Sequence, residues 1–220
     1  PDLTTTSIDG HRWYDTPAGW FPSITTILGA TEPIEKQLSL QRWRDGIGHE
    51  EADRISREAT ENGTLLHLLC ERHLKGEDVT APVDGQEIPL RALNSYRGLK
   101  MKLRHINEVW GQEVALFSKD VEVAGRTDVI GVYKQVPAVI DFKTAARVKS
   151  QFDIHDYYVQ LAFYGMAHNE MFDTNIEEGV ILIAAATGFP QEFRFKLSDH
   201  YPELCERASQ YWQAAINTCA

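Results

Sequence analysis

Cysteine is scarce in this chain of 220 residues: Cys70, Cys205 and Cys219 are the only three, and they lie far apart. That favours a reducing compartment over a disulfide framework. Long apolar runs are also missing. No stretch reaches the ~20 residues needed to cross a bilayer, so no membrane partner is expected, and the start carries no signal-peptide pattern. Excess positive charge is absent too. There are 32 acids against 22 Lys and Arg, a net charge of -10, which argues against a wholly basic nucleic-acid coat. A local basic groove remains open, and a cluster of metal-binding acids would itself add negative charge. No internal repeat or low-complexity tract stands out. With 43% apolar and 25% charged residues, the composition is globular, and the length suits one domain over 1–220 with a substantial core.

Periodicity places most elements in the first half as helices. They fall at about 34–44, at 48–74 with a break at Gly63, and at 90–109, where Leu93, Tyr96, Leu99, Leu103 and Ile106 share a face. The segment HRWYDTPAGWFPSITTILGATEP, rich in Pro, Gly and aromatics, reads as an irregular loop followed by a short helix from Ser23. After Trp110 the period changes. Strand patterns cover 113–117, 125–133 and 138–142. A helix follows over 156–171, then a buried strand from Gly179 and an alternating strand from Glu192. The last helix, 199–218, is expected to bury Leu204, Ala208, Trp212, Ala215 and Ile216. A mainly helical part (1–110) thus precedes a sheet core with a C-terminal helix (111–220). The order implies an α/β fold with a mixed central sheet flanked by helices.

The stretch GRTDVIGVYKQVPAVIDFKT holds the chemistry. A hairpin turn between Gln135 and Val136 sets Asp128 opposite Lys143 and Ile130 opposite Asp141. Opposed residues share a face, and so do residues two apart, so Asp128, Asp141 and Lys143 converge. Carboxylates this close repel and are best tolerated around a cation. Hard oxygen ligands favour Mg²⁺ or Mn²⁺, and an adjacent ammonium can orient water and stabilise charge on a phosphate. Together they suit phosphodiester hydrolysis. The plain alternative is a surface hairpin with a salt bridge.

Four motifs in order give a resemblance. FPSITTIL with Arg42 and Trp43, NGTLLHLLCE with His67, the acid and D-x-K of the hairpin, and QLAFYGMA with its Q-x-x-x-Y helix are similar to those of PD-(D/E)XK nucleases. The nearest group is the RecB-like exonucleases, including genome-maintenance exonucleases of mitochondria and their phage and bacterial relatives. The resemblance implies a restriction-endonuclease-like αβββαβ core with extra N-terminal helices. Thr127 stands where the motif has proline.

His67 would join Asp128 and Asp141 as metal ligand, with the Phe142 backbone carbonyl as a fourth; otherwise it is a surface or core histidine. His67 and Glu71, four apart, share a helical face. Zinc held by His67, Cys70 and His73 is disfavoured, because 67 and 73 point apart on a helix. By resemblance Glu113 binds a second metal or its water, and Gln160 and Tyr164 line the site; the alternatives are a strand-end acid, a surface amide and a core tyrosine. Ser23, Thr25 and Thr26 at a helix start are candidate phosphate contacts, and Trp20, Phe21 and Trp43 candidate base-stacking groups. The bland readings are an N-cap and core aromatics. Arg97, Lys100 and Arg104 form a basic stripe, and Arg147 and Lys149 follow the D-x-K closely; these are candidate DNA contacts or a solvated charged face. Three cysteines cannot supply a four-cysteine iron–sulfur cluster, so none is expected.

The expectation is an Mg²⁺- or Mn²⁺-dependent DNA exonuclease preferring single-stranded ends, acting in repair, recombination or genome processing. A single-strand-annealing or replication partner would fit. A duplex-end exonuclease, a structure-specific endonuclease and a DNA-end-binding module with a degenerate site stay open. The compartment would be the cytoplasm of a bacterial or phage-infected host, with the mitochondrial matrix as the alternative.

Overall fold

The computed structural model describes residues 2–218, so Cys219 lies outside the described residues. The Val- and Ile-rich half folds into a five-stranded sheet ordered β4 (Ile106–Ser118), β5 (Val123–Tyr133), β6 (Val136–Ala145), β7 (Glu178–Ala185) and β8 (Gln191–Lys196). Only β6 and β7 run parallel. Their crossover is α5 (His155–Phe172), and α4 (Leu90–Leu103) precedes β4. The order α4-β4-β5-β6-α5-β7 is the αβββαβ core of restriction-endonuclease-like proteins. One side of the sheet packs on α5, α6 (Tyr201–Thr218) and α1 (Ile24–Ala30); Val139, Ile181 and Phe163 are central to that cluster. The other packs on α4 and α3 (His49–Lys75) through Leu66, Leu69, Leu99 and Ile140. Both layers are needed because β7 is apolar along nearly its whole length.

Several elements differ from the sequence reading. The N-terminal segment is no irregular loop. It is a small antiparallel sheet of β1 (Thr4–Ile8), β2 (His11–Thr16) and β3 (Gly19–Pro22), seated through Tyr14 and Phe21 against Phe117 and Ala124. Its strands are short, with one side in solvent, so the apolar alternation is faint. The helix through Gly63 is unbroken, since one glycine costs only about 1 kcal/mol in a helix interior. Helix α4 stops at Leu103, and β4 begins at Ile106. Helix α2 (Ile34–Ile47) buries no residue. In α6, Leu204 and Ala208 are buried, Trp212 and Ala215 half-buried, but Ile216 is exposed.

The hairpin turn is Lys134–Gln135, both at positive φ (47° and 69°), the mark of a two-residue type I′ turn. Neither residue is the Asn or Gly that usually signals it. The register therefore shifts by two. Val129 pairs with Ile140 and Ile130 with Val139, not Asp141. A shift of two keeps every side chain on its face, whereas a shift of one would not. Beyond Val129–Ile140 the ladder stops. The first half of β5 stays on β4 and the last half of β6 stays on β7. The sheet forks there.

A buried arginine ties the layers on the α5 side. Arg207 of α6 donates to Leu28 O (2.6 Å), Thr31 Oγ1 (2.8 Å) and Asp156 Oδ1 (2.6 Å), joining α1, α5 and α6. On the opposite side, Glu192 of β8 pairs with Lys102 (3.0 Å) and Lys134 (2.6 Å). Burial would raise its carboxyl, but these hydrogen bonds win and hold it down at about 2. Arg207→Met should cost about 2–4 kcal/mol, because buried acceptors lose their donor; chemical denaturation reads this, and a loss under about 0.5 kcal/mol would refute the anchoring role. A depressed carboxyl stabilises above its unfolded value and loses that contribution as pH falls toward its folded value. Wild type should therefore lose, between about pH 5 and 2, up to about 1 kcal/mol that Glu192→Gln never had; parallel pH–stability curves for the two proteins would contradict it.

Candidate active site

The fork in the sheet makes room for polar side chains. Where the next ladder bond would form, the Phe142 N–H donates to Asp128 Oδ2 (2.7 Å). The carboxylate thus replaces a strand carbonyl, and Asp128 is fixed beside Asp141. Both are buried, 9% and 2% exposed. Lys143 Nζ forms an ion pair with Asp141 Oδ2 and lies over the Tyr157 ring, 5.1 Å from its centre. His67 reaches in from α3, Nδ1 3.1 Å from Asp128 Oδ1.

Glu113 arrives by a different device. Its neighbours pair regularly, Gln112 with Val129 and Val114 with Thr127, yet Glu113 has no ladder partner. Its φ is +50°, a left-handed conformation that is strained for a side chain of this size. Arg126 Nη1 donates to the Glu113 carbonyl (2.7 Å) and holds that conformation. The outcome is that ligand atoms of His67, Glu113 and Asp128 all lie within 4.8 Å of one another. On the far wall, Gln160 Nε2 donates to Tyr164 Oη (2.9 Å). Gly125 permits the close approach of that tyrosine: a Cβ there would meet Tyr164 Cε1 at 2.8 Å.

The charges are set against one another. Burial and the Asp128 charge push the Asp141 carboxyl up to about 6, with Lys143 and His67 opposing. Asp128 is also penalised by burial, but the His67 imidazolium, Lys143 and the Phe142 N–H hold it below its usual value. Glu113 is raised by burial and by Asp128. Burial lowers Lys143 and His67, yet the surrounding carboxylates outweigh this and raise both.

A cavity of about 200 Å³ gathers these groups: His67, Glu113, Asp128, Asp141, Lys143, Gln160 and Tyr164, walled by Ser23 and Thr25. Two cations that the sequence reading did not single out also line it, Arg12 and Arg126. Arg12 sits on β2, within the stretch read as a loop, so nothing local marked it. Arg126 lies two residues before Asp128, and only the backbone conformation of Glu113 exposes its use.

The other expected contacts scatter. Ser23 caps α1: its Oγ accepts from Thr26 N (3.0 Å) and bonds both threonine hydroxyls at 2.8 Å. Thr26 is buried within that network, while Thr25 is exposed at the cavity rim. Phe21, expected to stack on bases, is instead core, against Phe117. Trp20 and Trp43 are exposed, Trp43 on the outlying helix α2. Arg97 and Lys100 are exposed on α4, and Arg104 caps its end; none of the three lines the cavity. Arg147 is exposed, with Asp153 at 3.8 Å, and the Lys149 backbone pairs with the Gln191 side chain. Glu71 is paired with Lys75 (2.5 Å). Cys70 is buried in the core and His73 bonds Tyr96 (2.9 Å), so His67, Cys70 and His73 do not converge.

No protein-family model matches the chain. Mitochondrial genome maintenance exonuclease 1 of Xenopus tropicalis is 27% identical over 186 residues, covering 82% of this chain and 53% of that protein. The mouse protein of the same name is 27% identical over 199 residues, covering 87% and 55%. The chain thus spans about half the length of the curated relatives it matches. Among solved structures, a candidate exonuclease from Eubacterium rectale has a TM-score of 0.44 at 10% identity, over 81% of this chain and 65% of that one. By sequence, the chain is similar to the mitochondrial genome maintenance exonucleases, the kind of nuclease that its motifs resemble.

Proposed function

We propose that the chain is a divalent-metal-dependent DNA exonuclease unit that hydrolyses phosphodiester bonds from unpaired ends. The observation that carries this reading is the gathering of Asp128, Asp141, Lys143, His67 and Glu113 in one small cavity. Exonuclease names among the relatives support it. The preference for unpaired ends rests on the exposed aromatics Trp20 and Trp43, which suit unstacked bases.

The donor set fits a hard cation. Two carboxylates and an imidazole lie within 4.8 Å of one another, and their mutual repulsion is what a divalent ion would relieve. Asp128, Glu113 and His67 would hold it, with Asp141 and the Phe142 carbonyl completing the oxygen ligands. Mg²⁺ or Mn²⁺ suits this set, and when bound supplies Lewis acidity toward a phosphate oxygen and a more acidic water.

The chain's own residues do the rest. Lys143, held by Asp141 and the Tyr157 ring, places its ammonium where a water can be aimed at phosphorus. It also stabilises charge that grows on the phosphoryl oxygens as the water attacks in line. The attacking water gives up a proton to solvent, the 3′ oxygen leaves opposite and takes one from solvent, and the 5′ oxygen keeps the phosphate. Arg12 and Arg126 line the same cavity and would neutralise the substrate's phosphates. Gln160, fixed by Tyr164, offers its amide to the scissile region. Ser23, Thr25 and Thr26 would serve chiefly by shaping the wall, while Trp43, Arg97, Lys100, Arg104, Arg147 and Lys149 would add outer contacts to DNA.

Labelled linear single-stranded DNA should be shortened by wild type in Mg²⁺ or Mn²⁺ and left intact in EDTA. Lys143→Ala should lower kcat on the order of 10²–10³-fold. Equal rates for the two proteins would end the catalytic reading and leave a binding module. Cutting of closed circular single strands would instead identify an endonuclease. In a thermal melt without DNA, Mn²⁺ should raise the Tm of wild type but not of Asp128→Asn; equal rises would place the ion elsewhere.

A further inference from the structure

A second cavity, about 770 Å³, lies back to back with the catalytic one. Its floor is the C-terminal ends of the parallel pair β6 and β7, from Thr144 to Ala146 and from Ala184 to Ala186, and its walls are α3 and α4. Side chains alternate along a strand, so Thr144 faces this groove while Lys143 faces the catalytic cavity. The end of β6, Ala145, is two residues from Lys143, about 7 Å of extended chain. The carboxyl ends of parallel strands are where open α/β sheets bind ligands.

Three features of the groove call for an occupant. Asn62, only 9% exposed, lines it; its Nδ2 donates to Ser95 Oγ (3.2 Å), but its Oδ1 has no donor. Phe189 stands at the rim, between Gly188 and Pro190 of the lining, and is 88% exposed. The rim is also tied by hydrogen bonds on either side of Phe189. Ala186 N donates to Ala145 O (2.8 Å), Thr187 Oγ1 to Ala146 O (3.3 Å), and the Gln191 side chain bonds both the N–H and the carbonyl of Lys149 at 2.7 Å. Gly188, at φ +95°, lies so close to Val148 that a Cβ would fall 2.8 Å from its Cγ1. An exposed phenyl on a braced loop loses little entropy when something flat stacks on it. Arg147 and Lys149 stand on the loop that follows β6, outside the lining, with Asp153 3.8 Å from Arg147.

We propose that this groove binds the unpaired nucleic-acid strand beyond the scissile phosphate, with a base stacked on Phe189 and the backbone passing Arg147 and Lys149. The site deepens the nuclease reading and rests on it for the direction of the strand. Aromatic faces with flanking cations are what a strand of any sequence recognises. Lys143 lines the one cavity and its neighbour Thr144 the other, so a strand occupying both would have to pass around the end of β6. The Asn62 oxygen would accept from an amino group of a base or from a hydroxyl.

The test compares wild type with Phe189→Ser and Phe189→Trp. Anisotropy of a labelled long oligothymidylate in EDTA reads binding without turnover. The serine variant should bind on the order of 10-fold more weakly, while the tryptophan variant binds as wild type does. With metal added, the serine variant should show a raised KM and unchanged kcat on the long strand, and no change on a dinucleotide too short to reach the groove. Unchanged affinity and KM in the serine variant would overturn the proposal, and the phenyl would then face another class of partner, such as a protein. Wild type that binds the strand through Phe189 yet cuts no DNA would defeat the nuclease reading and leave this site standing. Wild type that cuts while all three bind alike would do the reverse.

Discussion

Two carboxylates, Asp128 and Asp141, are buried side by side where the β5–β6 ladder ends. Everything around them answers that repulsion. Burying one ionised carboxylate already costs several kcal/mol unless it is paired and hydrogen-bonded. Here a backbone N–H, an imidazole and an ammonium are each spent on the pair. The remaining imbalance appears as an asymmetry: one acid is held low and the other is pushed up to about 6. Groups driven apart in this way by their surroundings are poised for different tasks. Asp128 is the more acidic of the two, and Asp141 is the acid that shares its charge with Lys143.

The fork that creates the site needs support from both layers. If β5 and β6 continued their ladder, Asp128 would have no N–H to accept from and His67 no path between the strands. On one side, the unbroken helix α3 carries Leu66, Leu69 and Cys70 against the sheet and sets His67 at the gap. On the other, Arg207 binds α1 to α5 and α6, so the wall formed by Ser23 and Thr25 keeps its place. The small N-terminal sheet closes the remaining side, because Ser23 bridges to Ala124 and its N–H donates to Arg12 O.

Much of this was legible in the sequence, and for identifiable reasons. Strand composition and the alternation of Asp128, Asp141 and Lys143 put all three on one face. That survived a register error of two residues because side-chain direction has a period of two. The turn was misplaced because Lys134 and Gln135 adopt positive φ without the residues that advertise it. Phe21 read equally well as a base-stacking group or as core, and only the packing of β3 on Phe117 decided it. Arg12, Arg126 and Arg207 were invisible. An arginine's role is set by what lies at the tip of a long side chain, and sequence spacing says little about that.

Glu113 shows how the site and the fold are linked through the backbone. In a regular strand it would take its place in the ladder opposite Asp128. A positive φ removes it from the ladder and brings its carboxylate among the would-be ligands. That conformation is unfavourable by about 1–3 kcal/mol, and it persists because Arg126 binds the displaced carbonyl. The same arginine lines the cavity that holds the acids. A single cation therefore stabilises the strained strand and adds positive charge beside the buried carboxylates. Strain on β4, the fork between β5 and β6, and the buried acids form one arrangement: Arg126 holds the first, and the Phe142 N–H, His67 and Lys143 hold the last.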